Sequence, residues 1–497
     1  MPKLASDFTI GAVERLLFRS LIALALGSTP CFAGLREAPA AQTWLQVRLE
    51  THLTSYKSHA GTRFRCVVIS PYEVDGRVLI PQGSIIFGTV RRAQSVRLGL
   101  LRERAGLDLD FSRYQTPDGA IFPLSAKVAS IDNARELVGR NGHIKGVLAA
   151  TNPEEVLNGI WDKPALGMMY RPLIGLTGVG GEILEKIPMG PIGPGVLFGV
   201  RCLLMRFPEP EIHLTPGTDL SLRVDASGTV FQPTAIPTAP DLPEGLAEWL
   251  AAQPFTVEKP NGRTAEDVIN LAFLGSREEV SESFQASGWY PADATTFNTF
   301  SRLYLAYNNK RRYDTAPVSK LLYQGRLPDM VFEKSFDTVS KRHHIRIWNG
   351  GVFDGQQVWL AAATHDTGIY FDRRVFHFSH RIDKNLDDER SKVAVDLTYA
   401  GCAQPAMYSA RFGEASLLSR GSAIETDGEV AVLPLQSCSP ANYGDDPGPG
   451  LPGNKVTRLI RRVILEARTY VIRENVYYWG FEIVRHSIHP AGDMAVN

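Results

Sequence analysis

The sequence runs to 497 residues, with 53 lysines and arginines against 53 aspartates and glutamates and 44% hydrophobic residues. This is ordinary globular composition in a chain long enough to bury a sizeable core, and it suggests about two to three domains. A formal net charge of zero removes the global attraction that draws a basic protein to nucleic acid, so no such partner is expected. Residues 1–33 carry the parts of a secretory signal in order. Arg15 and Arg19 precede the short apolar run Leu21-Ile22-Ala23-Leu24-Ala25-Leu26-Gly27, Ser28-Thr29-Pro30 breaks it, and Cys31-Phe32-Ala33 ends it with small residues. The run is too short to cross a bilayer. Export to the periplasm or cell envelope is therefore expected, against the plainer reading of an amphipathic starting helix. Ser28-Thr29-Pro30 is a poor lipidation context, so Cys31 is not read as a lipid anchor. Cleavage after Ala33 leaves Cys66, Cys202, Cys402 and Cys438. An oxidising compartment permits disulfides, and Cys402 with Cys438 is the better pair; buried free thiols are the alternative.

Residues 34–225 read as an all-β barrel or sandwich domain. Leu45, Val47 and Leu49 alternate, as do Phe64, Cys66 and Val68, and Asp75-Gly76, Pro81-Gln82-Gly83 and Asp118-Gly119 supply turns. Ile80-Pro81-Gln82-Gly83-Ser84 with Gly88-Thr89-Val90, and later Leu214-Thr215-Pro216-Gly217-Thr218 before Leu220 and Leu222, resemble the β-domain of conjugation-channel scaffold proteins of the TrbI type. That resemblance implies an envelope scaffold barrel. A glycine-rich insertion, 139–207, interrupts it. Glu182, Glu185, Lys186 and Arg201 break any uncharged span, and Pro188, Pro191 and Pro194 break any long helix. It reads either as a membrane-touching hairpin or as a covered, closely packed insertion. Residues 226–260, with Pro233, Pro237, Pro240, Pro243, Pro254 and Pro260, read as a stiff exposed linker. A second low-order stretch spans 442–454.

Residues 261–490 read as an α+β domain. Thr264-Ala265-Glu266-Asp267 suits a helix start before Val268, Leu271 and Leu274, Glu278 to Ala286 reads as another helix, and strands dominate from Val331. Three segments concentrate polar residues. On a strand, Arg342, His344, Arg346 and Trp348 share one face, while His343 shares the other with Ile345 and Ile347. Two guanidiniums, an imidazole and an indole in a row can hold a phosphate or carboxylate beside a sugar or base; the alternative is a solvated strand face. The apolar strand from Val358 ends at Thr364-His365-Asp366, and His377 to Asp383 leads into a helix that Asn385 or Asp387 would cap.

Taken in order, these segments resemble the LssY C-terminal domain family over roughly 260 to 440. The residues that carry the likeness are Gly325-Arg326 with Asp329, Arg342-His343-His344 with Arg346 and Trp348, and Asp366 with Gly368. His380 with Ile382-Asp383 and Asp387-Asp388-Glu389-Arg390 complete the set. Ser379 stands where that family's threonine is expected. The resemblance implies an envelope setting beside membrane proteins of the phosphatidic-acid-phosphatase type, and no secure reaction.

His344, His380, Asp366 and Asp383 are the catalytic candidates. Arg326, Arg342, His343, Arg346, Trp348, Asp387, Glu389 and Arg390 are the ligand-binding candidates. Four chemistries fit the set: metal-assisted hydrolysis of a phosphate ester, metal-free acid–base work, binding without turnover, and a buried ion network. No H-E-x-x-H, paired C-x-x-C, Walker loop or G-x-S-x-G occurs, so no cofactor or metal is named. The leading expectation is an exported ligand-binding or accessory module for phosphorylated lipid-linked or carbohydrate compounds, partnered by a membrane protein or lipid-linked substrate. A hydrolase is the alternative. His344, Arg346, Asp366, His380 and Asp383 are expected to converge on one concave patch, where Arg346→Ala would weaken ligand binding more than folding. Arg458, Arg461, Arg462 and Arg468, interleaved with Leu459, Ile460, Val463 and Leu465, read either as a lipid-touching helix or as a core-packed one with a solvated face.

Overall fold

Alternating side chains roll the N-terminal region into a ring. Strand β1 (Leu45–Leu49) points Leu45, Val47 and Leu49 inward, and β2 (Arg63–Val68) does the same with Phe64, Cys66 and Val68. They are joined by β3 (Ile85–Gln94), β4 (Gly106–Gln115), β5 (Ile121–Ile131) and β6 (Asp219–Val224). Each strand pairs antiparallel with the next, and β6 returns to β1. The result is a closed six-stranded barrel with extra short strands. Closure leaves the ring no free edge. Gly88 shows how narrow its interior is: a Cβ there would lie 2.3 Å from Phe64 Cζ and 2.6 Å from the Asp110 carbonyl oxygen.

The computed structural model describes residues 44–148, 209–235, 240–260, 265–308, 312–335, 338–372, 377–410, 425–438 and 450–468. The expected signal segment, Cys202, most of the glycine-rich insertion and residues 442–449 lie outside the described residues.

The C-terminal region is a mixed α/β assembly around one sheet. In spatial order the sheet runs Tyr290–Pro291, β8 (Met330–Lys334), β9 (Arg342–Phe353), β10 (Gln356–Asp372), β7 (Leu271–Leu274), β13 (Glu429–Pro434) and β12 (Met407–Ala410). Strand β11 (His377–Ile382) also pairs with β10. Only β7 with β13 is a parallel pair among the described strands of this sheet. The helices are α1 (Leu246–Ala251), α2 (Arg277–Ala286), α3 (Phe297–Asn308), α4 (Leu386–Tyr399) and α5 (Lys455–Arg468). Ser276 and Glu279 form a reciprocal capping box on α2, and Asn385 caps α4.

Each face of this sheet carries its own core. Ile345 and Ile347 pack with Phe284, Trp289, Val393 and Leu397 from α2, its following turn and α4. Trp348 packs the other way, with Leu246, Leu250, Tyr323 and Leu360. The pleat of β9 therefore divides as its sequence alternates. A disulfide joins Cys402 to Cys438, and Cys66 is a free, buried thiol.

Two expectations need correction. The helix expected from Thr264 is instead a strand, Ala265–Val268, followed by β7. All four residues of β7 are buried between β10 and β13, and a strand covered on both sides shows a continuous apolar run rather than alternation. The stretch 226–260 is also not a free linker throughout. Thr234–Ala235 pairs with Arg77 and Val78, and Tyr114 donates to the Val230 carbonyl at 2.9 Å, which binds its first part to the barrel region. Helix α1 then buries Leu246 and Leu250 against the sheet. Proline content marks a stiff backbone and does not decide what that backbone packs against.

Candidate functional site

The outer face of β9 is polar, but it is not open. Arg342 lies opposite Asp366 across β9 and β10 and donates to it at 3.2 Å. The same guanidinium donates to Glu333 at 2.6 Å and to the carbonyls of Ala316 and Pro317. Burial works against the Arg342 cation, and Glu333 and Asp366 outweigh it, so its pKa rises. One cation thus faces two carboxylates, and burial pushes the Glu333 carboxyl up to about 8 against the pull of Arg342. His344 hydrogen-bonds Thr364 at 2.7 Å and stands 3.7 Å from Asp366. Arg346 donates to Asp267 at 3.0 Å and to the carbonyl and hydroxyl of Ser319. The indole of Trp348 donates to the Arg326 carbonyl at 3.2 Å. Arg342, His344, Arg346 and Trp348 are all buried.

The inner face meets the barrel. His343 Nε2 lies 2.9 and 3.0 Å from the two carboxylate oxygens of Asp132, the residue that follows β5. Its Nδ1 lies 2.6 Å from Glu389 on α4. The imidazole of His365, opposite His343 in the β9–β10 register, stacks on it with centroids 4.5 Å apart. His365 Nε2 in turn lies 2.9 Å from Asn133 Oδ1, and its Nδ1 lies 3.8 Å from Asp383. Burial opposes charging of both partners, but His343 and Lys392 hold the Asp132 carboxyl far below its usual range. Against the same burial, Asp132 and Glu389 raise His343 to about 10.

From there the charges continue across the junction. Lys392 bonds Asp219 and Asp396 and lies 3.5 Å from Asp132. Arg48, pointing out of the barrel between inward Val47 and Leu49, holds Asp219 at 2.7 Å and Asp396 at 2.7 Å. Lys334 and the Trp289 indole also donate to Asp396, at 2.8 and 3.0 Å. Burial, helped by the neighbouring cations Lys392 and Arg48, pulls Lys334 down to about 8. The carboxyl of Asp396 is nevertheless held well below its ordinary value by Lys334, Lys392 and Arg48, which outweigh its burial.

The stretch that supplies β9, β10 and α4 resembles known sequences. Residues 252–430 match the LssY C-terminus family. The match covers β7 to the start of β13 and leaves the barrel outside. The solved structure of ComB10 of the Com type IV secretion system of Helicobacter pylori is similar at 16% identity, covering 40% of this chain and 91% of that one, with a TM-score of 0.19. Among curated proteins none matches the chain.

Within the LssY-type region the expected site residues fall into separate places. His344, Arg346 and Asp366 share the outer face, whereas Asp383 joins His365 and His343 on the inner one. The backbone of His380 lies on β11 opposite Ile369; its side chain lies outside the described residues. The single concave patch expected of these residues is thus divided by the pleat, which sends adjacent residues of β9 to opposite cores. Of the ligand-binding candidates, Asp387 accepts from Thr426 and from the Asp427 amide, and Arg390 clasps Asp427 through two bonds of 2.6 and 2.7 Å. Exposed Arg326 donates to the Asn349 carbonyl at 3.1 Å. Sequence pattern does not single out Arg48, Asp132, Asp219, Lys334, His365, Lys392 or Asp396 as partners in this cluster. Asp396 did leave a signal: with Glu389 and Val393 it falls at helical spacing on the buried side of α4. Burial raises the Cys66 thiol far above its usual range, which disqualifies it as a nucleophile.

A second feature lies beside the barrel. Helix α5 docks through its polar side: Arg461 reaches Glu209 at 2.6 Å and Glu211 at 3.5 Å, and Arg468 reaches the Gly99 carbonyl and Glu103. Leu465 is its one fully covered aliphatic among the described side chains, close against Gly99. Val456 (63% exposed), Leu459 (59%), Ile460 and Val463 form a stripe that faces outward. The adjoining loop adds Leu98, Leu100 and Leu101, the last 94% exposed. Of the two readings open for this helix, the core-packed one with a solvated polar face does not fit this exposure.

Proposed function

We propose that this is an exported envelope protein that lies against an anionic membrane surface. Its barrel and LssY-type region act there as one body, an accessory module for phosphorylated lipid-linked or carbohydrate compounds. The observation that carries the reading is the outward apolar stripe of α5 beside Leu98, Leu100 and Leu101. Helical spacing sets Lys455 and Arg462 along one margin of that stripe, and the loop carries Arg97 and Arg102. Aliphatics that enter the headgroup region with arginines at their margin fit an anionic lipid surface better than a second copy of the same cationic patch. Co-sedimentation with phosphatidylglycerol vesicles is expected, weakened by neutral lipid or high salt and abolished by Leu459→Asp with Ile460→Asp. A wild-type protein that stays in the supernatant would overturn the reading, as would one that forms dimers broken by the same pair of changes.

Export is supported by the signal-like order of residues 1–33 and by the Cys402–Cys438 bridge, which suits an oxidising compartment. Protein recovered from the envelope fraction is expected to have an intact mass beginning near Gly34 and to hold that bridge. A full-length chain recovered from the cytoplasm with both thiols free would contradict export. Hydrolysis is a second reading, favoured by one observation: Asp132, His343 and His365 bring their ligand atoms within 4.8 Å of one another.

A further inference from the structure

We infer that Asp132, His343 and His365 form a binding site for a divalent transition ion of the zinc class, shared between the barrel and the LssY-type region. The inference is independent of the membrane reading and gives the hydrolytic one a physical centre. Two imidazole nitrogens and one carboxylate make a donor set suited to such ions once the metal displaces the proton that His343 Nε2 shares with Asp132, with at least one coordination position left for water or an anionic oxygen.

Three features go beyond proximity. Each imidazole directs Nε2 toward the Asp132–Asn133 turn, and each has a carboxylate near its Nδ1, Glu389 at 2.6 Å for His343 and Asp383 at 3.8 Å for His365. Carboxylates placed behind the far nitrogen are what orient metal-binding histidines and fix their tautomer. Glu389 is also 2% exposed, and its Oε1 has no hydrogen-bond partner among the described residues. A buried carboxylate oxygen left over beside a histidine is costly unless positive charge lies close by. Finally, the site is reachable. The side chain of His343 is 5% exposed, but those of Asp132 and His365 keep 20% and 23%. The two histidines sit directly opposite each other on paired strands, so their spacing is held by the sheet rather than by a loop. Lys392, 3.5 Å from Asp132, adds positive charge beside the site while it is held by Asp219 and Asp396.

The test is calorimetric titration of chelator-treated full-length protein with Zn2+, alongside the metal content of protein purified without added metal. One ion per chain is expected, with a rise in melting temperature on binding. His365→Ala and Asp132→Asn should abolish both effects while the circular dichroism spectrum stays that of the folded protein. Asp383→Asn, acting through His365, should weaken Zn2+ binding by about 10–100-fold. His59→Ala, on the exposed barrel surface, should bind like the wild type. His365 and Asp132 are partly exposed, so their replacement is compatible with folding even if His343→Ala proves unstable. A folded wild-type chain that takes up no stoichiometric Zn2+, or a His365→Ala variant that binds as tightly as wild type, would overturn the inference.

Discussion

Replacing Asp396 by alanine is expected to cost about 3–5 kcal/mol of stability, the range for removing one partner from a buried ion pair. Asp396 is fully buried and receives Arg48, Lys334, Lys392 and the Trp289 indole. Its loss leaves three buried cations with Asp219 as the nearest remaining anion of that group. The cost arises chiefly from the stranded charges rather than from the worth of any one bond. By comparison, Arg326→Ala on the exposed turn should change stability by no more than about 0.5 kcal/mol. Equilibrium denaturation of both variants checks the contrast. The same carboxylates make the junction acid-sensitive. Asp219 and Asp396 have pKa values below the unfolded ones, so their stabilisation is present above roughly pH 4 and is lost as pH falls through the lower folded values.

Arg346→Ala should likewise lower stability by about 3–5 kcal/mol, because Asp267 would remain buried without its cation. This differs from what the sequence suggests, where Arg346 reads as an anion-binding group whose loss weakens a ligand more than the fold. The guanidinium is 2% exposed and already divided between Asp267 and Ser319. A melting curve matching the wild type, with altered retention of a phosphorylated ligand, would show that Arg346 is available to ligands after all.

Strand alternation made much of the architecture legible. Leu45, Val47 and Leu49 line the barrel, and the separation of His343 from Arg342, His344 and Arg346 on β9 follows from a period of two. Short-range signals also served well where the physics is local, as at the Asn385 cap and the Glu278–Ala286 helix. What was not legible is long-range. Arg48 and Asp219 are 171 residues apart, and His343 and Asp132 are 211 apart. Arg48, Asp219 and Asp132 alone look like ordinary solvated charges on a barrel strand or turn. Only docking of the barrel against α4 buries them together. The same fact changes the chemistry of the LssY-type motif: Arg342, Arg346 and Arg390 are structural partners of carboxylates, and His365 is more accessible than His343 or His344. Local sequence shows which face a side chain takes, but not what covers that face.

Buried charge joins the barrel to the LssY-type region, and Arg48 with Asp396 is the ion pair that spans the joint. A double-mutant cycle with Arg48→Ala, Asp396→Ala and the double variant, followed by denaturant unfolding, isolates the energy between one residue from each side. A coupling of about 1–3 kcal/mol is predicted for side chains in one buried network. Additive effects, with a coupling within about 0.3–0.5 kcal/mol of zero, would leave the two regions as neighbours that share no electrostatic joint.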